Sequence, residues 1–172
     1  FRRVLFRSWA ASHTGVAGSL LAAPVAPNGA ALSKLTEGAG AANTHVLMQG
    51  AAVPAGLPLT FSFYAQAAER GTVLAQVNDG GWSEGFRAAF DLSQGTVSWA
   101  ANGFGGLSGA QAGMEALGGG LYRCWVSGQF TGAATSATAS VFLMQGGTWQ
   151  YAGDGSSGVW LGNTQLETGT GP

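Results

Sequence analysis

The chain has 172 residues, of which only 9% are charged; seven are basic, eight acidic and 30 glycine, for a net charge of −1. That length supports one domain with a sizeable core, and the near-neutral balance lacks the basic footprint of a nucleic-acid binder. So little charge means a surface of hydroxyls, amides and backbone, with weak long-range electrostatic steering.

The opening octamer FRRVLFRS carries Arg2, Arg3 and Arg7, and without those three the remainder has four basic against eight acidic residues. It shows no turn or capping logic. Residues 1–24 therefore read as an N-terminal arm or a translated adapter remnant, and 25–172 as the folded domain. Two rival readings are a basic arm docking on a neighbour and, through GVAGSLLAAPVAP, the end of a signal peptide. Ser12, His13 and Thr14 interrupt that apolar stretch, and no run approaches the ~18 residues of a membrane helix.

Strand signals follow with a period of two. LPLTFSFYAQA sets Leu59, Phe61, Phe63 and Ala65 on one face, with Thr60, Ser62, Tyr64 and Gln66 on the other. TVLAQVN groups Val73, Ala75 and Val77. FRAAFDL groups Phe86, Ala88, Phe90 and Leu92, with Arg87 and Asp91 opposite. GTVSWA predicts Val97 and Trp99 on one face. The segment GAQAGMEALGGG reads as a possible helical turn, although its glycines disfavour a long helix. In GLYRCWVSGQF, Tyr122, Cys124, Val126 and Phe130 share the apolar side, while Leu121, Arg123, Trp125 and Gln129 share the other. SATASVFLM sends Ala139, Val141 and Leu143 one way and Phe142 and Met144 the other. SGVWLGNTQLE is apolar on both faces, as an interior strand is. Between these runs, NDGG, LSQG, NGFGG, LGGG, QGG and GDGSSG supply turn residues. Short strands with frequent turns and no long repeat predict an all-β, antiparallel jelly-roll β-sandwich.

Cys124 is the sole cysteine, so no intrachain disulfide forms. On the apolar side of its strand, with Arg123 on the opposite face, it reads as a core hydrophobe rather than a reactive thiol.

Four segments carry a resemblance. PAGLPLTFSFYAQAAERG, FDLSQGTVSW, GLYRCWVSGQF and YAGDGSSGVWLGNTQLETG, in that order across roughly residues 25 to 170, resemble a jelly-roll module of bacteriophage head spike, head fibre, tail fibre and minor tail proteins. The resemblance implies a carbohydrate-binding-like fold and a non-enzymatic virion structural protein, located on the particle surface. Two departures stand out. Leu121 replaces the family's tryptophan in GWYR, removing an aromatic ring near a ligand face. Thr170, Gly171 and Pro172 replace a tail that continues into further domains, which implies a complete small protein.

No catalytic constellation emerges, and no enzyme activity or cofactor is expected. Asp79 with Glu84 is the one pair close enough in sequence for acid–base work; turn chemistry is the plainer role for both, as for Asp154. His13 and His45 lack ligand neighbours at metal spacing, Ser157 lacks a nucleophile elbow, and the glycine loops lack a phosphate-binding lysine. By analogy with sugar-binding jelly rolls, Asn78, Asp79 and Glu84, or Glu37 with Glu167, are the oxygen sets a calcium ion would use; no metal is expected.

Two classes of function follow. As a head-fibre, decoration or tail-fibre component, the chain would contact copies of itself and other virion proteins through its sandwich surface. As a glycan binder it would present Tyr64, Gln66, Trp82, Arg87, Arg123 and Trp125, stacking sugar rings and bonding their hydroxyls. Arg123 and Trp125 have a plainer alternative, stacking on each other as a cation–π pair. Neither class involves nucleic acid or membrane.

Overall fold

The computed structural model describes residues 3–5, 10–12, 14–17 and 23–171. Its strands are β1 (Arg3–Leu5), β2 (Ala10–Ser12), β3 (Thr14–Ala17), β4 (Ser33–Glu37), β5 (Asn43–Thr44), β6 (Val46–Ala52), β7 (Leu59–Ala67) and β8 (Thr72–Asp79). They continue with β9 (Gly85–Asp91), β10 (Thr96–Phe104), β11 (Gln111–Gly118), β12 (Leu121–Gly128), β13 (Ser136–Met144), β14 (Gln150–Tyr151) and β15 (Gly158–Thr168). Among the described residues there is no helix.

The strands form two large antiparallel sheets. One runs β11-β12-β7-β15-β4-β3, with β1 also on β15; the other runs β10-β9-β8-β13-β6-β2. A short β14-β5 ribbon stands apart. Alternation decides what lies between the sheets. Phe61, Phe63, Cys124, Val126, Val159 and Leu166 of the first sheet meet Val73, Val77, Phe86, Phe90, Val141 and Leu143 of the second in one core. Phe63 meets Phe90 edge-on, with centroids 6.0 Å apart, so the sheets interlock through aromatic contacts. The molecule is an all-β antiparallel sandwich, as the alternation predicts. Cys124 is fully buried, and burial pushes its thiol well above the usual range.

Three expectations change. GAQAGMEALGGG contains the edge strand β11, paired with β12 over Gln111–Gly118 rather than turning as a helix. Trp125 explains how an edge strand accepts a central glycine: its indole lies so close over Gly113 that a Cβ there would come within 2.5 Å of the ring. Val97 and Trp99 do not share a face. Val97 pairs with Phe90 and Trp99 with Ala89, so a β-bulge between them turns Trp99 outward. Finally, strands already lie ahead of residue 25: β1 pairs with β15, β2 with β6 and β3 with β4, so the sheets begin within the presumed arm. Arg2, Arg7 and His13 lie outside the described residues.

β15 is the strand that matters most for the surface. It lies between β7 and β4, with a bulge between Gly162 and Gln165. Asn163, in that bulge, has φ 49°, a left-handed conformation that asparagine tolerates better than most residues.

Candidate functional site

The outer face of the first sheet carries a groove of about 210 Å³ lined by Asn28, Ser62, Phe63, Tyr64, Arg123, Asn163 and Gln165. Its construction follows from register. Tyr64 on β7 pairs with Arg123 on β12 and with Gly162 on β15. Ser62, two residues back on β7, pairs with Gln165. The fourth side is a turn ahead of β4. Gly29 N–H donates to the Ala26 carbonyl at 2.8 Å and Ala26 N–H to the Ala30 carbonyl at 2.8 Å, while Asn28 Oδ1 accepts from Ala30 N–H at 3.1 Å.

This turn rests on the sheet because Ala26 and Leu32 are buried with Leu121, flanked by Tyr64, Leu117 and Trp160. Asn163 Nδ2 donates to Asn28 Oδ1 at 2.9 Å, tying the β15 bulge to the turn. Arg123 has no carboxylate partner among the described residues, although Glu115 stands opposite it in register on β11. No ring contact joins it to Trp125 among those residues either, so the proposed stacking of that pair is replaced by Trp125 over Gly113.

The six residues singled out from sequence therefore do not form one site. Tyr64 and Arg123 line the groove. Trp125 sits farther along the same face opposite Ser62, and Gln66 is opposite Leu121 and Trp160. Arg87 belongs to the other sheet, where its neighbours Phe86 and Ala88 face the core and it faces out. Its guanidinium lies 5.4–5.6 Å from the centroids of Trp99, Phe104 and Trp149, and Nε donates to Asn102 Oδ1 at 3.3 Å. Trp99 and Trp149 also touch, with centroids 5.7 Å apart. Gly85 makes room for this cluster, since a Cβ there would fall 2.5 Å from the Phe104 ring. Trp82 is on the β8–β9 turn, half exposed, with φ 58°.

The acid–base pair considered above has other work. Asp79 Oδ1 accepts from the Ser83 and Glu84 backbone N–H groups at 2.7 and 3.0 Å, and Oδ2 from the Ser83 hydroxyl at 2.7 Å. Glu84 accepts from Thr131 N–H, the Thr131 hydroxyl and Gly132 N–H, pinning the turn to the loop after β12. The Thr131 hydroxyl and Gly132 amide hold Glu84 below the usual carboxylate range. At Asp79 partial burial pushes upward, but the Glu84 and Ser83 donors outweigh it. Acid–base catalysis needs two groups pushed apart; these two are both held ionised.

The other calcium set also dissolves. Glu37 lies beside the Gly158 end of β15 and Glu167 near the opposite end, roughly 30 Å along the strand at ~3.3 Å per residue. Instead, Glu37 accepts from Arg70 Nε and Nη2 at 2.8 and 2.6 Å, from the Tyr151 hydroxyl at 2.8 Å and from Asp154 N–H at 2.8 Å. Burial pushes its carboxyl up, but those donors and the guanidinium charge hold it below the ordinary value. His45, buried, packs on Tyr151 at 4.6 Å; its Nδ1 accepts from Gly38 N–H at 3.3 Å, so Nε2–H donates to the Tyr151 carbonyl at 3.1 Å.

Fold and site together define an antiparallel β-sandwich with a small polar groove on one outer face and an arginine-centred aromatic cluster on the other. No protein-family model matches the chain, and no curated protein matches it. Asn28, Asn163 and Gln165 were not singled out from sequence. An asparagine after glycine in an otherwise regular strand, as in LGNTQ, was the available signal.

Proposed function

We propose that the chain is a non-enzymatic, jelly-roll-type structural module of a bacteriophage virion, a head-fibre, decoration or tail-fibre component that assembles with copies of itself. One observation carries this reading. Three of the four segments that resemble virion modules lie on β7, β12 and β15, which are immediate neighbours in the order β12-β7-β15. The fourth covers the β9–β10 hairpin of the facing sheet. The resemblance thus follows a contiguous structural unit rather than scattered pieces. Exposed Leu57, beside Pro58, Thr168 and Gly169 in a shallow hollow of about 340 Å³, offers apolar surface for assembly. The test is mass spectrometry of gradient-purified particles: stoichiometric copies of this chain support the proposal, and its absence from intact particles refutes it.

A second reading, glycan recognition, has its own support in the groove, where Tyr64 offers a ring and Arg123, Asn163, Gln165 and Asn28 offer polar groups. It is compatible with a place on a particle. Retention on immobilised polysaccharide, lost in Tyr64→Ala with the fold intact, tests it.

A further inference from the structure

The groove between β12, β7, the β15 bulge and the turn at Asn28 has a chemistry more specific than sugar binding in general. Of its seven lining residues, Arg123 alone is charged. No carboxylate lines the groove with it, and none among the described residues pairs with it. Glu115 stands across from it on β11 but forms no ion pair with it, so the half-buried guanidinium at the groove wall is open to an acid from outside. Its planar fork suits a carboxylate held at two points.

The other six are neutral: Phe63, two asparagines, a glutamine, a serine and the tyrosine. The polar ones bond hydroxyls, and the Tyr64 ring, opposite Arg123 in register, gives an apolar C–H face something to lie against. The volume of about 210 Å³ is below the ~300 Å³ at which pockets for drug-sized ligands begin, so the fit is to one small ring. The site is also preorganised: Asn163 is held in its left-handed bulge and bonded to Asn28, so the amide positions are set before a ligand arrives.

We infer that this groove binds a hydroxylated ring carboxylate, the chemistry of a uronic-acid unit, with Arg123 taking the carboxylate and Asn28, Asn163 and Gln165 the hydroxyls. The inference rests on the second reading above and narrows it to acidic sugars. The ligand could arrive as a free sugar acid or as one unit of an acidic polysaccharide.

The experiment is titration of the isotope-labelled chain, followed by amide NMR shifts, with methyl glucuronide, methyl glucoside, acetate and an oligoglucuronate. Expected is saturable binding of the glucuronide with shifts centred on Tyr64, Arg123 and Asn163. The glucoside, which differs only at the carboxylate, binds at least tenfold more weakly, and so does acetate. Arg123→Gln lowers glucuronide affinity at least tenfold, Arg123→Lys nearly as much, with unchanged dispersion elsewhere in the spectrum. Tighter binding of the oligomer than of the monosaccharide assigns the polysaccharide as source; equal binding assigns the free acid.

Several results overturn the inference. Equal binding of glucoside and glucuronide in the groove removes the carboxylate and leaves glycan recognition standing. Acetate binding as well as the glucuronide removes the ring. Shifts centred elsewhere, or an unaffected Arg123→Gln variant, remove the site. No binding of either sugar at millimolar concentration, together with no retention on polysaccharide, removes both the inference and the glycan reading.

Discussion

Arg70 and Glu37, 33 residues apart in the chain, meet through two hydrogen bonds of 2.8 and 2.6 Å at a carboxylate with no solvent exposure. The same carboxylate holds Tyr151 and the Asp154 amide, so one acidic side chain joins β4, the β7–β8 turn, β14 and the loop ahead of β15. Removing Arg70 leaves a buried charge, and removing Glu37 leaves the guanidinium with only Asp154, at 3.7 Å. Glu37→Ala and Arg70→Ala are each expected to cost about 3–5 kcal/mol, and a joint apolar replacement less than the worse single variant. Urea denaturation of the four proteins decides it; a loss below about 1 kcal/mol for Glu37→Ala contradicts the assignment.

The same geometry sets an acid limit. Glu37, Asp79 and Glu84 have folded-state pKa values below their ordinary ones. Each therefore contributes stability that is complete above the unfolded carboxylate pKa and is lost as pH falls through the lowered folded value. Unfolding free energy should stay level from about pH 7 to about pH 5 and drop below about pH 4. Glu84→Gln should lower stability at neutral pH and flatten the acid slope. An acid slope identical to that of the parent would show that Glu84 is not among the groups responsible.

Cys124 faces Phe63 across the β12–β7 pairing and is fully buried. With its thiol pushed upward by burial, it should not react with a thiol reagent in the native state at neutral pH, and should react at once in denaturant. Prompt native-state labelling would place the sulfur at the surface. Cys124→Ser is expected to cost about 1–3 kcal/mol, because a hydroxyl there would be buried among apolar neighbours.

Arg87 stands amid the rings of Trp99, Phe104 and Trp149, with Trp99 against Trp149. A double-mutant cycle on Arg87→Ala and Trp149→Ala should return a coupling of about 0.5–1 kcal/mol. Near-ultraviolet circular dichroism should show a paired-indole signal that disappears in Trp99→Ala and in Trp149→Ala alike. A signal surviving both changes would mean the two indoles do not touch.

Trp82, at φ 58°, holds a left-handed conformation costly for a bulky side chain. Trp82→Gly should raise stability by about 1 kcal/mol, whereas Trp82→Ala, still strained, should not. Thermal melts of the two variants check the order. Equal melting points would show that the turn relaxes without help from glycine.

Much of the fold was legible because strand burial repeats every two residues, and that period is written locally. Phe61 with Phe63, Ala139 with Val141 and Leu143, and Cys124 with Val126 all face the core the alternation assigns them. The prediction failed where the period itself breaks. At Val97 and Trp99 an extra residue enters one strand without its partner, and no local pattern announces a bulge. In GAQAGMEALGGG small residues weaken both periodicities; pairing with β12 and the Trp125 ring over Gly113 make the segment a strand.

The candidate site divides in the same way. Tyr64 and Arg123 were recognisable as outward residues of two strands, a consequence of alternation alone. That they are neighbours across a sheet, and that Arg87 lies on the far side of the sandwich, depends on strand order. Strand order is set by how the apolar faces fit together across the core. Asn28 and Asn163 are separated by 135 positions and joined at 2.9 Å, and Glu37 meets Tyr151 across 114. Composition and period determined that this chain buries one face of each strand against another sheet. The packing of those faces decided which distant polar groups came together, because contacts between remote residues are made by the closed core rather than by neighbouring residues along the chain.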